Sequence, residues 1–151
     1  MSTTTPSGTA ESIRPGDILA GKYRVERILG SGGTGVVVLA TQIERGQRVA
    51  IKLLLPAAMA DAEVVGRFLR EARASLSLRS EHVARVYEVG TLQGSLGTHY
   101  MVMEYLEGSD LRSLVQRGPL RVEDAVGYVI QACGAIEEAH RLGIIHRDLK
   151  P

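Results

Sequence analysis

The sequence has little of what marks membrane, secreted or nucleic-acid-binding proteins. It contains a single cysteine, Cys133, so it forms no internal disulfide and suits a reducing compartment, which predicts a cytoplasmic location. No stretch approaches the roughly 18 consecutive apolar residues of a membrane span, so we expect membrane association only if an anchor lies after the last residue. The formal net charge is +1 and the basic residues are scattered, so we expect no nucleic-acid partner.

Lysine is also scarce, which makes the position of each lysine informative. Of the 18 basic residues only Lys22, Lys52 and Lys150 are lysines. The histidines show no metal-ligand spacing with Cys133, so no metal site is predicted within the chain. The length of 151 residues is enough for one ordinary domain. Residues 1–21 are predicted to form a disordered leader, because the N-terminus is rich in Ser and Thr and has no apolar core.

Short apolar runs separated by turns predict an antiparallel sheet in the first part of the chain. Strands are expected at Lys22–Leu29, Val36–Ala40, Val49–Leu55, His82–Val89 and Tyr100–Tyr105. Helices are expected over Asp61–Leu78, in a short segment ending at Gln116, and near Val122–Leu142. Because most strands come first and most helices later, the pattern predicts an α+β fold in two parts, with a boundary near Glu104.

A glycine-rich turn lies between the first two predicted strands. The segment Gly30–Val37 fits the pattern G-x-G-x-x-G-x-V, in which glycines let backbone N–H groups approach phosphate oxygens. Taken alone, this pattern is equally compatible with a plain hairpin turn. A dinucleotide-binding fingerprint would need a helix after the glycines, and a Walker P-loop would need Lys and Ser/Thr directly after the last glycine. Neither is present, which leaves a nucleotide-covering flap as the functional interpretation.

The segment Val49-Ala50-Ile51-Lys52 is the second signal. Side chains alternate along a strand, so Ala50 and Lys52 share one face, where a small residue admits a flat base and a cation meets its phosphates. The alternative is a solvent-facing lysine on an edge strand. Glu71 lies beside the apolar stripe of the predicted helix and can hold Lys52 in place, although an exposed pair with Arg67 is the other reading.

The chain finishes with His146-Arg147-Asp148-Leu149-Lys150-Pro151, following two β-branched residues that we expect to form a short strand. An aspartate on the loop after such a strand can accept a hydroxyl proton, and a lysine two residues later can neutralise the charge of a transferring phosphate. A glycine flap, V-A-I-K and H-R-D in this order make a chance match improbable.

These motifs resemble those of the eukaryotic-like protein serine/threonine kinases, and the resemblance covers Lys22–Pro151. Compact loops and the preference for arginine over lysine suggest a bacterial member. The implied fold is α+β and protein-kinase-like, with an antiparallel β-sheet N-lobe carrying one main helix over residues 22–103. The first helices of a truncated helical C-lobe would then follow over residues 104–151.

The resemblance also implies roles for individual residues. Leu29, Val37 and Ala50 would form the roof over adenine, Met103 would be the gatekeeper, and the backbones of Glu104 and Leu106 would bind the adenine edge. Asp110 matches the ribose-contacting position, Asp148 the catalytic base and Lys150 the lysine of serine/threonine-specific members, while Lys52 would contact the phosphates and pair with Glu71. The flap would consist of Gly30, Ser31, Gly32, Gly33, Thr34, Gly35, Val36 and Val37.

The implied activity is transfer of the γ-phosphoryl group of ATP to Ser or Thr hydroxyls of a protein substrate, with ATP and Mg²⁺ as cofactors. The metal-binding asparagine and the D-F-G aspartate are expected beyond Pro151, so the sequence is interpreted as a truncated piece that is inactive alone. The alternative function is a non-catalytic, pseudokinase-like module that binds nucleotide or regulates a partner.

Overall fold

The computed structural model describes residues 13–93, 97–147 and 149–151. In these ranges the strands are β1 (Ile18–Leu19), β2 (Tyr23–Ser31), β3 (Gly35–Gln42), β4 (Arg48–Leu54), β5 (Val86–Thr91) and β6 (His99–Glu104). The helices of the same ranges are α1 (Pro56–Met59), α2 (Ala62–Ser77), α3 (Leu111–Gln116) and α4 (Val122–Arg141). The predicted α+β class is confirmed.

The strands form one antiparallel sheet in the order β1-β2-β3-β4-β6-β5. The meander predicted for the first three long strands is confirmed as β2-β3-β4. Strand β6 adds to the other edge of β4, with Ile51 opposite Val102, so β4 lies in the middle of the sheet. The central position of β4 explains why its apolar residues are almost completely buried.

The two faces of the sheet pack against different groups. One face carries a cluster of side chains that are at most 2% exposed, among them Val25, Val38, Val49, Ile51, Leu53 and Val102. On the other face helix α2 packs through Phe68 and Ala72 against Leu54 and Met101. The alternation predicted for β4 is therefore confirmed, since Val49, Ile51 and Leu53 all belong to the first cluster.

Residues 13–21 correct the prediction of a leader that extends to residue 21. Ile18 and Leu19 form β1, which pairs with β2, and Leu19 is only 8% exposed in the first core cluster. The burial of Leu19 and the pairing with Arg24 and Tyr23 order this segment, although two residues give no periodic signal in the sequence. Residues 1–12, the rest of the predicted leader, lie outside the described residues.

Two other strand predictions are wrong. Strand β5 begins at Val86 and continues through Gly90, where the ring of Tyr100 lies so close that an added Cβ would be 2.7 Å from its hydroxyl oxygen. Gly90 is thus a strand residue that allows close packing, not the end of the strand. Ile144 and Ile145 lie in irregular backbone, because no strand within the described ranges pairs with them.

A carboxylate on β5 links the two ends of the sheet. Glu88 accepts hydrogen bonds from the hydroxyls of Tyr23 (2.9 Å) and Tyr100 (2.6 Å), and it forms an ion pair with Lys22 Nζ at 3.2 Å. Lys22 directly precedes β2 and Tyr23 is the first residue of β2, next to the edge strand β1, whereas β5 is the opposite edge. The side chain of Glu88 therefore closes the sheet where no backbone ladder does.

The described residues group into two units by their contacts. The first unit runs to Leu76 and resumes over Val86–Tyr105, and the second comprises Ser77–Arg85 and Leu106–Pro151. The two core clusters lie entirely in the first unit, and the buried apolar residues of the second are Ala135 and Ala139. Over the described residues, no helix has the length and apolar character needed to cross a membrane.

Candidate nucleotide site

Lys52 lies at the centre of the candidate site, on the middle strand of the sheet. In the register of the sheet it stands between Val37 of β3 and Met101 of β6. Its Nζ is 3.6 Å from Oε2 of Glu71 and 5.7 Å from the centre of the Phe68 ring, both on α2. The side chain of Lys52 is 35% exposed and that of Glu71 is 55% exposed, so this is a cation held against the helix with one side open to solvent.

Strand alternation and helix spacing explain this placement. Ala50 lies two residues before Lys52 on β4 and therefore shares its face. It pairs with Leu39 on one side and Met103 on the other, and it is 6% exposed. Phe68 and Glu71 are three residues apart on α2, so the ring and the carboxylate project from one side of the helix. The aromatic ring anchors the helix in the core, and the carboxylate then reaches the amine.

The sequence patterns did not identify Phe68 as a site residue. It was recognised only as part of the apolar stripe of α2, whereas its ring also lies within the distance of a cation–π contact to Lys52. The signal that could have revealed it is its i, i+3 spacing to Glu71. A residue that faces the core at that spacing from a lysine-binding carboxylate lies close to the lysine as well.

The glycine turn is a hairpin between β2 and β3. It is closed by a hydrogen bond from Gly32 N–H to the Gly35 carbonyl (2.9 Å), and Leu55 N–H donates to the Thr34 carbonyl (2.9 Å). An added Cβ at Gly35 would lie 2.7 Å from the carbonyl oxygen of Leu53, so Gly35 is required by packing within the sheet. The turn is thereby attached to β4, the strand that carries Lys52.

The other glycines of the turn have no such requirement. A Cβ added at Gly30, Gly32 or Gly33 would meet no heavy atom within 4 Å, and none of the three has the left-handed φ that favours glycine. Neither backbone conformation nor protein packing accounts for glycine at these positions. A bare backbone with open space above it is what the close approach of a ligand requires.

The remaining flap residues divide between the two faces. Val37 lies opposite Lys52 on the site face, whereas Val36 is 5% exposed in the core cluster of the other face. The structure therefore does not bring the side chain of Val36 to the site, and only its backbone is available there. Leu29 is 36% exposed on β2, and Ser31 is exposed at the end of that strand.

The predicted hinge lies where β6 ends. Met103 faces Ala50, Glu104 is the last residue of β6, and Leu106 is 63% exposed in the second unit. Asp110 precedes α3 and caps it, since its Oδ1 accepts a hydrogen bond from Ser113 N–H at 2.7 Å. This hydrogen bonding by Ser113 holds the pKa of the Asp110 carboxyl below its ordinary value. A contact of Asp110 with ribose remains a prediction.

The end of the chain belongs to the second unit. Asp148, the predicted catalytic base, lies outside the described residues. Arg147 just before it has φ 62°, which is the left-handed region that non-glycine residues seldom adopt and in which strain concentrates at functional segments. Lys150 is exposed. Among the residues that the structure describes, no group of three or more His, Cys, Asp or Glu side chains is arranged to hold a metal.

Comparison with known proteins identifies this architecture. The family profile described as protein kinase domain matches residues 23–151. The chain is 38% identical to the serine/threonine-protein kinase PknA of Mycobacterium tuberculosis, with 93% of this chain and 33% of PknA aligned. It is 36% identical to the serine/threonine-protein kinase PrkC of Bacillus subtilis, with 90% of this chain and 21% of PrkC aligned.

A solved structure gives the same result. The crystal structure of the Mycobacterium tuberculosis PknI kinase domain superimposes with a TM-score of 0.74 at 32% identity, covering 93% of this chain and 56% of that one. The chain thus spans about a third or less of the length of the curated relatives named here. The predicted family is confirmed, and so is the kinship with bacterial members: the chain belongs to the protein kinase domain family, among relatives that are bacterial serine/threonine kinases.

Proposed function

We propose that this chain is the ATP-holding part of a protein kinase that transfers the γ-phosphoryl group of ATP to Ser or Thr hydroxyls of a protein substrate. The observation that carries the proposal is the Lys52–Glu71 pair, on strand β4 and helix α2, beside a glycine turn whose backbone is uncovered. A fixed cation next to open backbone N–H groups suits a polyphosphate. The lobe division at residues 103/104 belongs to the same proposal.

Each candidate site residue of the first unit, together with Leu106, has a role in this proposal. The backbone of Gly30–Gly35 covers the phosphates, and Lys52 supplies positive charge to them while Glu71 and Phe68 restrict its side chain. Ala50 is small enough to leave room for the adenine ring on the same face of β4, under Leu29 and Val37. The backbones of Glu104 and Leu106 would meet the adenine edge.

The roles proposed for Asp148, Lys150 and Mg²⁺ depend on membership of the protein kinase domain family. Asp148 would accept the proton of the substrate hydroxyl, and Lys150 would neutralise the charge that develops on the transferring phosphate. Protein kinases generally use ATP together with Mg²⁺, an ion that one or two carboxylates and the phosphates of the nucleotide can hold. A cytoplasmic location follows from the proposed use of ATP and from the single cysteine, Cys133.

A second candidate function is a nucleotide-binding module without catalysis. The Lys52–Glu71 pair and the uncovered backbone of the glycine turn support binding of a polyphosphate in this candidate as well, because neither feature takes part in proton transfer. We expect the 151-residue chain to bind ATP and to phosphorylate a generic protein substrate slowly or not at all. Steady phosphorylation that is lost in Lys52→Met would contradict this expectation.

Nucleotide binding itself is tested by Lys52→Met and Glu71→Gln. Calorimetric titration with ATP should show an affinity at least about tenfold weaker in Lys52→Met, because a charge-assisted contact with the phosphates is lost, and a smaller loss in Glu71→Gln. Lys22→Met is the matched control, since Lys22 also pairs with a carboxylate but at the far edge of the sheet. Equal affinity of Lys52→Met and Lys22→Met for ATP would overturn the proposal.

A further inference from the structure

The methionines of the chain lie together in the fold. The sequence contains four, and Met1 lies outside the described residues. The other three, Met59, Met101 and Met103, all belong to the second core cluster, in which helix α2 packs on the sheet. Met101 is one of its buried members, whereas Met59 and Met103 are partly exposed and pack against it. We call these three residues the methionine cluster.

Two of these side chains lie on the face of the sheet that carries Lys52. In the register of β4 and β6, Met101 stands opposite Lys52. Met103 stands opposite Ala50. Because side chains alternate along a strand, Met101 and Met103 share one face, and Val102 between them belongs to the core cluster of the other face. The thioether of Met103 therefore lies on the side of the sheet that carries the candidate nucleotide site.

Met101 and Met103 differ in their access to solvent. Met101 is only 7% exposed, because Phe68 of α2 packs against it. Met103 is partly exposed, and its open surface lies on the face of Ala50, since the other face of β6 is covered by a packed core. A small dissolved molecule can reach the Sδ atom of Met103 from that face, whereas packing shields the Sδ atom of Met101.

A thioether changes from apolar to polar when it is oxidised. With hydrogen peroxide, the sulfur forms a bond to one peroxide oxygen while the O–O bond breaks. The proton of the transferred hydroxyl passes to the departing one, so the products are the sulfoxide and water. The sulfur loses two electrons and the peroxide gains them. The new oxygen accepts hydrogen bonds, and placing it against an apolar surface is therefore unfavourable.

The surroundings of Met103 do not suit such an oxygen. The buried residues of its cluster are all apolar, namely Leu54, Ala58, Phe68, Ala72 and Met101. The sulfoxide oxygen keeps its water only by turning toward the open face beside Ala50. That space is the one assigned to the adenine ring in the proposed function. A hydrated oxygen and a flat, largely apolar ring exclude one another there.

We propose that Met103 is an oxidation-sensitive residue of the nucleotide site: a peroxide converts its thioether to the sulfoxide, and the added oxygen weakens nucleotide binding. The change is reversible, since methionine sulfoxide reductases take two electrons from a dithiol and return the thioether and water. The inference rests on the proposed function in assigning the nucleotide to this face. The order in which the methionines react depends only on their exposure.

The reaction is followed residue by residue in the complete chain. Hydrogen peroxide is added to protein that carries Cys133→Ser, because the exposed thiol of Cys133 would react as well. Mass spectrometry of peptides then gives the fraction of sulfoxide at each member of the methionine cluster. Met103 should be oxidised at least about threefold faster than Met101. Saturating ATP should slow the oxidation of Met103 and leave that of Met59, on α1, unchanged.

Two leucine variants assign the effect on binding to one residue. Calorimetric titration measures ATP affinity before and after peroxide in the Cys133→Ser chain and in the same chain with Met103→Leu or Met59→Leu, which keep size and apolar character. Peroxide should weaken binding about tenfold in the parent chain and in Met59→Leu but not in Met103→Leu. Methionine sulfoxide reductases with dithiothreitol should restore it. Each variant is compared with its own untreated sample, so differences in basal affinity do not enter.

Equal oxidation rates of Met103 and Met101 would overturn the proposal, and so would an unchanged ATP affinity once Met103 is fully oxidised. An equal loss of affinity in Met103→Leu and the parent chain would assign the effect to another residue and overturn it too. A chain that binds no ATP even before peroxide is added refutes the proposed function, and with it the effect of Met103 on binding. A chain that binds ATP equally well before and after oxidation refutes the role of Met103 alone.

Discussion

At the scale of single residues, glycines of the same turn are present for different reasons. Gly35 is constrained by the protein, because the carbonyl of Leu53 occupies the space of a side chain. Gly33 meets nothing within 4 Å and has no left-handed backbone, so the folded chain tolerates a methyl group there. Gly35 is therefore required by the fold, whereas the space above Gly33 is open for a ligand.

The substitutions Gly35→Ala and Gly33→Ala should therefore separate stability from binding. Gly35→Ala forces backbone atoms apart and should cost about 1–3 kcal/mol of unfolding free energy. Gly33→Ala should be neutral or stabilise by up to about 1 kcal/mol through the unfolded chain, while it weakens ATP binding. Chemical denaturation and ATP titration of the two variants provide the check. A Gly33→Ala variant that keeps full ATP affinity would show that the open backbone does not meet phosphate.

At this scale, residue types and strand alternation were enough to predict the arrangement of side chains on β4. The alternation of Val49, Ile51 and Leu53 with Ala50 and Lys52 was enough to assign the two faces of β4, since every second residue of a strand points the same way. The contact of Lys52 with Phe68 was not predicted, because an apolar stripe shows that a ring is buried but not what lies over it.

At the scale of elements, closure of the sheet depends on one ionised side chain. Partial burial raises the pKa of the Glu88 carboxyl, but hydrogen bonds from Tyr100, Tyr23 and Lys22 outweigh this effect, so its pKa lies below its ordinary value. Burial and the same carboxylate raise the pKa of Tyr23 to about 12 and raise the pKa of Tyr100 as well. The cluster is stable with Glu88 ionised and both tyrosines neutral.

These shifts predict how stability depends on pH. The lowered pKa of Glu88 means that its contribution is complete above the pKa it has in the unfolded chain and is lost as pH falls through the folded value. The raised pKa of Tyr23 means that its contribution is complete below about 10 and is lost as pH rises through about 12. Urea unfolding should thus show a plateau between an acid and an alkaline decline.

Glu88→Gln should reduce stability by about 1–3 kcal/mol at neutral pH and make the acid decline shallower. Tyr23→Phe serves as the comparison, because it leaves the carboxylate with Tyr100 and Lys22; it should reduce the alkaline decline and change the acid decline less than Glu88→Gln does. The measurement is the urea midpoint across the pH range. If wild type and Glu88→Gln lose stability in parallel on acidification, the carboxylate does not hold the sheet closed through its charge.

The elements themselves were largely predictable, and the misses share a cause. β2, β3, β4, α2 and α4 have enough periodic apolar residues to be recognised locally. The start of β5 was misplaced, because the residues before it are held by Glu138 of α4, and its predicted end at Val89 was too early, because Gly90 continues the strand with Tyr100 packed on it. Contacts between residues far apart in the sequence decide both cases, and a local pattern contains no information about them.

At the scale of the whole molecule, the two units differ in how much apolar surface they bury. Both core clusters lie in the first unit, whereas α4 of the second exposes Val122 (74%), Val129 (61%) and Ile130 (65%). Burial of apolar surface is the main favourable contribution to stability. The first unit should therefore hold its structure under conditions in which the second has already opened.

Hydrogen exchange and a matched pair of isoleucine variants test this order of unfolding. Amides of β3, β4 and β6 should exchange slowest and those of α4 earlier, because local opening follows the density of buried contacts. Ile51→Ala, at a side chain that is 0% exposed, should cost about 2–5 kcal/mol and accelerate exchange throughout the sheet. Ile130→Ala, at 65% exposure, should change stability by less than about 0.5 kcal/mol. Uniform protection of α4 and β4, lost together in a single transition, would show instead that the two units fold as one.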